Sequence, residues 1–403
     1  MSIRPEADAA RAALAGLVGD GLSDEKICAA SAAAIWSTLV EPGDGTAGAL
    51  IAQYGAVEAL QRVEVDSTSA LARGAGLTEQ DVSAARARWL PRRGDVDRAL
   101  AAARRAGARL LMPGEDVWPR ALDDLGVHAP VCLWARGDAD ALSGPAALAL
   151  VGARAATAYG TQVVTELAAE AATAGVVVVS GAAYGIDAAA HRGALRADGT
   201  TVAVLAGGVD RPYPSGHDEL ISAIVRTGVV LAEVPCGTAP TKWRFLARNR
   251  MIAALAGATI VVEAAHRSGA LNTAHHAAAL GRALGAVPGP VTSAASAGCH
   301  RLLRDADAVC ITSAADAWEL LGILGGPGGE PDADHGERID ERTRVLDALS
   351  GRRARATAEI ARLSGLSAAE TSSILGLLDL DGRVERLPDG WRRRSGPGAV
   401  RLW

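Results

Sequence analysis

Six short apolar runs, at 148–151, 176–179, 201–205, 229–232, 258–262 and 285–288, contain no charged residue and are separated by stretches of helical composition. A strand with one wet face alternates apolar and polar positions, so uninterrupted runs rich in β-branched residues belong to strands buried on both sides. Spaced by helices of about 10–15 residues, they restrict the chain to an α/β fold with a doubly wound, mainly parallel sheet, an extended Rossmann-like architecture. Residues 309–312 offer one more edge strand. On such a sheet ligands collect at the carboxyl ends of the strands, near helix N-termini.

The unusual residues stand at those ends. The first run leads into Val151-Gly152-Ala153-Arg154, and the second into Ser180-Gly181-Ala182-Ala183-Tyr184-Gly185-Ile186-Asp187. Gly207, Gly208, Tyr213 and Pro214 follow the third run, Glu233 and the segment 240–250 the fourth, and Ser268-Gly269-Ala270-Leu271 the fifth. Glycine at such turns lets backbone N–H groups approach an anion with no Cβ in the way. Taken together, these loops point to an anion site.

Segment 240–250 holds the single phenylalanine of the chain, Phe245, and one of its two lysines, Lys242, beside Trp243, Arg244, Arg248 and Arg250. A flat ring among fixed cations suits a nucleic-acid strand, with cations for phosphate and the ring for a stacked base. The plainer reading is a core-anchoring phenylalanine with solvated arginines. The formal net charge of −5 does not decide the matter, because binding is local. Between residues 234 and 304, eight basic residues face one acid, Glu263, so a cationic region sits in an otherwise acidic chain.

Around this core we expect a small helical domain at 1–95, with Gly55 between two helical halves, and a Rossmann-like domain with an N-terminal extension at 96–325, its first part a structured connector broken by Pro119 and Pro130. A flexible acidic linker is expected at 326–338 and a winged helix-turn-helix at 339–403, with Ser367 capping its second helix and 384–394 as the wing. That helix, 368–380, has acids and no arginine, so reading of a major groove is not expected of it. No apolar run approaches the roughly 20 residues of a membrane span, and five cysteines lack paired spacing, which together fit a cytoplasmic protein with reduced thiols and no membrane contact. Adjacent His275 and His276 point apart on a helix, and no metal site is expected. Asp187 reads as a helix N-cap with His191 a satisfied polar group, and Glu233 as the partner of a nearby arginine.

The motifs at 151–154, 180–187 with His191, Tyr213-Pro214, Phe245 with Arg248-Asn249-Arg250, 268–271 and Pro288-Gly289 resemble, in order, those of the DNA-processing protein A (DprA/Smf) family over about residues 110–315. The resemblance implies single-stranded-DNA binding, homodimerisation and transfer of DNA to a RecA-type recombinase during transformation or recombination, with single-strand-binding protein a further partner. It implies no catalysis and no cofactor. The DNA-binding residues it carries over are Arg154, Ser180, Gly181, Tyr184, Gly185, Lys242, Phe245, Arg248, Asn249, Arg250, Ser268 and Gly269. Tyr184 stands where several relatives have lysine. The alternative is a Rossmann-type nucleotide enzyme similar to nucleotide phosphoribohydrolases, although the Pro-Gly-Gly-x-Gly-Thr-x-x-Glu pattern of that group is absent. A dinucleotide oxidoreductase would need Gly-x-Gly-x-x-Gly after the first strand, and the chain has Gly-Ala-Arg there.

Overall fold

The computed structural model describes residues 6–92, 96–144, 146–323, 341–351 and 353–394. They form two compact units, one within residues 1–330 and one within 331–403.

The first unit is built on a nine-stranded sheet in the order β1-β2-β6-β5-β4-β3-β7-β8-β9. Its strands are β1 (Arg109–Leu111), β2 (Leu133–Gly137), β3 (Ala147–Val151), β4 (Val177–Ser180), β5 (Thr201–Leu205), β6 (Val229–Ala232), β7 (Ala258–Val261), β8 (Ala283–Ala286) and β9 (Val309–Cys310). From β3 to β9 all pairings are parallel. The mainly parallel, doubly wound architecture is therefore as expected from the apolar runs, each of which supplies a strand within two residues of its expected position. The expected connector does more than connect, because β1 and β2 extend the sheet antiparallel beyond β6. Three- and five-residue strands with Pro119 and Pro130 between them carry too little pattern to be seen in a sequence.

Helices cover both faces. On one face α7 (Ala158–Thr173) and α8 (Ile186–Arg196) pack Val164, Leu167 and Ala190 onto Leu148, Leu150 and Val178. Continuing along that face, α9 (Asp218–Thr227) joins α1 (Ala7–Leu14), α2 (Asp24–Leu39) and α6 (Val96–Ala106) around Trp134, Leu205 and Val230. The opposite face receives Met251 and Ile252 of α10 (Lys242–Leu255), Leu271 of α11 (Ala270–Ala279) and Leu302 of α12 (Ala297–Asp305); α13 (Ala314–Leu320) closes the unit.

The boundary expected near residue 95 does not separate two bodies. Leu14, Leu17 and Ile27 share one apolar cluster with the sheet, so α1 and α2 belong to the core of the first unit. Helices α3 (Gly45–Val65), α4 (Thr68–Ala75) and α5 (Glu79–Trp89) keep their own cluster, in which Trp36 and Trp89 meet edge to face at 5.4 Å. Gly55 breaks α3 with φ 75°, the left-handed turn that glycine permits.

The second unit has α14 (Glu341–Ala348), α15 (Thr357–Ser364), α16 (Ala368–Leu380) and the hairpin of β10 (Val384–Leu387) and β11 (Gly390–Arg393). This is the expected winged helix, and Ser367 closes a capping box with Glu370. Outwardly α16 shows Leu377 and Leu380 and no cation. The linker expected at 326–338 lies outside the described residues. Among the described residues no helix is long and apolar enough to cross a membrane, and no group of His, Cys, Asp and Glu could hold a metal ion.

Candidate nucleic-acid interface

Chain order reverses between β3 and β7, and a cavity of about 890 Å³ opens there at the carboxyl ends of the strands. Its walls come from the loop after β3 (Gly152, Ala153, Arg154), from Tyr213 after β5, from α10 (Lys242, Phe245, Arg248, Asn249) and from the loop after β7 (Arg267, Ser268, Gly269).

Helix α10 explains which residues of 240–250 meet. Thr241 caps it by accepting from the Arg244 N–H, and 3.6 residues per turn then divide the cations between two faces. Lys242, Phe245, Arg248, Asn249 and Ile252 face the cavity. Arg244 and Arg250 face away and are held by acids. Arg244 donates from Nε and Nη2 to the Glu41 carboxylate at 2.8 and 2.9 Å. Buried Arg250 donates from Nη2 to both oxygens of Glu233 at 2.8 Å and from Nε to the His128 carbonyl at 2.9 Å. Glu233 thus has the arginine partner expected of it. As a phosphate contact, Arg250 is corrected: its guanidinium closes an internal junction.

Arg248 differs, having no acidic ion-pair partner among the described residues and lining the cavity itself. Buried at the floor of the cavity, it donates from Nη1 to the Gly181 carbonyl at 2.7 Å and to that of Val204. Burial lowers its pKa to about 10, against the pull of Asp187. Gly181 is required by this packing, since a Cβ there would overlap the Arg248 guanidinium. Gly185, at φ 78°, is held against the Ala153 and Arg154 carbonyls, and buried Ser180 donates its hydroxyl to the Leu150 carbonyl at 2.6 Å. These three shape the floor and do not line the cavity. Tyr184 lies outside it too, half exposed, its ring 4.7 Å from that of His217. Asn249 ties α10 to the start of α11 through the Gly269 carbonyl at 3.3 Å and Asn272 Oδ1 at 3.2 Å.

The remaining wall is open to a ligand. Phe245 is half-buried between the Arg154 guanidinium, 4.8 Å from its centroid, and the tilted Tyr213 ring at 5.5 Å. Among the described residues Arg154, Lys242 and Arg267 make no ion pair with an acid. Lys242 also sits on the first turn of α10, where the positive end of the helix dipole disfavours a cation and favours an anion beside it. Sequence reasoning missed Arg267 and Tyr213 as site residues. Arg267 stood one position before a recognised glycine loop, and Tyr213 beside a proline in a quoted motif.

Glu263 closes another anion position. It is buried at the N-terminus of α7, the first helix after the switch point, and accepts from the Thr157 N–H at 2.9 Å and hydroxyl at 2.6 Å. Dinucleotide folds place a pyrophosphate at the corresponding helix N-terminus, and here a carboxylate of the protein fills it.

Asp187 departs from expectation, because α8 has Gly185 as its N-cap and Asp187 stands inside the first turn. Its carboxylate accepts from the Ala183 N–H at 3.4 Å, and burial raises its pKa. The satisfied polar role of His191 holds at one nitrogen: Thr201 donates to the Val178 carbonyl, so Nδ1–H of His191 donates to Thr201 Oγ1 at 2.7 Å, while Nε2 has no partner among the described residues. Burial lowers the His191 pKa to about 3. The unfolded chain takes up this proton near pH 6.5 and the folded one does not, so stability should decline as pH falls from about 6.5 towards 3, by at most about 1.4 kcal/mol per pH unit. Asp187, with a raised pKa, acts in the opposite sense near its own titration. Urea unfolding at pH 7.5, 6, 5 and 4 should show this slope, flattened in His191→Gln; parallel slopes would assign it to other groups.

The family model described as DNA recombination-mediator protein A matches residues 109–322, and the DprA winged helix domain model matches 329–390. To a DprA-type DNA processing protein of Mycobacterium tuberculosis the chain is 44% identical over 388 residues, covering 92% of this chain and 96% of that protein. To the DNA processing protein DprA of Bacillus subtilis it is 38% identical over 226 residues, covering 56% and 75%. The X-ray structure of DNA processing protein A from Streptococcus pneumoniae superposes with a TM-score of 0.58 at 30% identity, covering 72% of this chain and 97% of that one. With the first model matching more than half of the chain, and its strand-end motifs framing one cavity, the chain belongs to the DNA recombination-mediator protein A (DprA/Smf) family, a family of DNA-processing mediators rather than enzymes.

Proposed function

We propose that the switch-point cavity binds single-stranded DNA, and that the chain, as a homodimer, shields such DNA and passes it to a RecA-type recombinase. The observation that carries the first part is Phe245, an aromatic ring held between Arg154 and Tyr213 in a cavity where Lys242 and Arg267 lack acidic partners. A single strand offers what this wall matches, phosphates for three cations and an unpaired base for a ring. Duplex bases are already stacked and have no face to give. On binding, Arg154 exchanges the Phe245 ring for a phosphate and so uncovers that ring for a base. Arg248, Asn249 and Arg250 hold α10 in place, Ser180, Gly181 and Gly185 shape the floor beneath, and Ser268 and Gly269 line the wall beside Arg267.

Lys242→Ala should lower affinity for oligo-dT and reduce the slope of log K against log salt by about 0.7, the share of one phosphate contact on a single strand. Titration of labelled oligo-dT at two salt concentrations measures both. An unchanged slope would remove Lys242 from the phosphate path, and tighter binding to duplex than to single strand would sink the reading. Transfer is tested by whether the protein speeds recombinase filament formation on single-stranded DNA coated with single-strand-binding protein.

A further inference from the structure

Four aromatic side chains are more than a third exposed among the described residues: Tyr159 (44%), Tyr184 (51%), Tyr213 (49%) and Trp243 (75%). They are not scattered. Each lies in the stretch that follows a different strand of the series β3, β4, β5 and β6, in a loop or on the first turn of the next helix. In a chain with only 3% aromatic residues, one exposed ring after each of four successive strands is a pattern. Tyr159 has a structural role, since its hydroxyl donates to the Pro288 carbonyl at 2.6 Å. Tyr213 touches Phe245 in the cavity. Tyr184 and Trp243 remain unexplained. Tyr184 rests only one side on the edge of His217, and neither the Tyr184 hydroxyl nor the Trp243 indole N–H has a hydrogen-bond partner among the described residues.

Their placement ties them to the cavity. Tyr184 directly follows Ala183 and Trp243 directly follows Lys242, and both of those neighbours line the cavity that holds the Tyr213 and Phe245 pair, so the two rings flank it from the loop after β4 and from the start of α10. On α10, Trp243 lies two residues from Phe245 and so projects from a different side of the helix, outside the cavity, beside the unpaired Lys242. Rings with an open face stack bases of any sequence. We infer that Tyr184 and Trp243 are base-stacking platforms that continue the single strand out of the cavity, one past the loop after β4 and the other past the start of α10. The inference rests on the single-strand reading of the cavity, and extends the contact from one base at Phe245 to a track of several nucleotides.

The test uses the full chain and fluorescein-labelled dT4 and dT20. Trp243→Ala and Tyr184→Ala should each weaken dT20 binding by roughly five- to tenfold, with Trp243→Ala leaving dT4 affinity unchanged. Trp243→Phe and Tyr184→Phe should retain most of the dT20 affinity, because phenylalanine still stacks, and Trp243→Phe should remove much of the tryptophan quenching that dT20 causes. If both alanine variants bind dT20 as the wild type does while Phe245→Ala is weakened, the track does not exist and the cavity reading stands. If Phe245→Ala is unaffected as well, both fall. Equal losses on dT4 and dT20 in Trp243→Ala would make the indole a support for α10, which also overturns the track.

Discussion

Arg250→Ala is expected to lower the free energy of unfolding by about 3–5 kcal/mol, the usual loss when one partner is deleted from a buried ion pair. Four segments converge on this guanidinium. It holds Glu233 at the end of β6, the His128 carbonyl in the connector and the Ala247 carbonyl on its own helix, while Gly43 packs on its plane and donates its N–H to the same Glu233 oxygen. Truncation leaves the Glu233 carboxylate and the His128 carbonyl facing a hole. Arg250→Lys should recover little, since one ammonium nitrogen cannot reach the Glu233 carboxylate, the His128 carbonyl and the Ala247 carbonyl, which the guanidinium engages from three separate nitrogens. Chemical denaturation of the three proteins at pH 7.5 checks this. A loss below about 1 kcal/mol in Arg250→Ala would show the junction open to solvent, and would return Arg250 to the candidates for phosphate.

Phe245→Ala is expected to weaken oligo-dT binding by tenfold or more while leaving the salt slope near the wild-type value. One stacked base is worth roughly 1–3 kcal/mol and releases no counterion. The side chain is half-buried at the cavity mouth, so its loss should cost far less stability than a core truncation, and Phe245→Trp should bind nearly as well as wild type. Removal of the ring also frees Arg154 from its cation–π contact, worth about 0.5–1 kcal/mol at such a site. A flattened slope in Phe245→Ala would therefore mean that Arg154 needs the ring to reach its phosphate. Unchanged affinity would take the base contact elsewhere. The division from Lys242→Ala is the informative part, one variant changing affinity at constant slope and the other changing both.

The fold was largely legible because burial on two faces leaves a continuous apolar signature that polar or charged residues would interrupt. β1 and β2 left none, being an edge pair of few residues, and the first two helices looked like a separate domain because an alanine-rich helix does not announce which surface it covers. The site was legible as a place. Glycines, cations and the single phenylalanine all fell at strand ends, and the cavity opened there. Roles were less so. Arg248 and Arg250 are two residues apart with the same side chain, and the sequence offers no reason to treat them differently from Lys242 or Arg154.

By itself, the sequence determined the parallel sheet, the gathering of its motifs at the strand ends and the wall carrying Lys242 and Phe245, because those follow from residue type and spacing along one element. Only the tertiary structure decided which cations meet a ligand. Helical geometry turned Arg244 and Arg250 towards Glu41 and Glu233, about 200 and 20 positions away in the chain, and left Arg154, Lys242 and Arg267 without acidic partners. A charge is available for function when no opposite charge is within reach, and distance through space is what the linear order does not record.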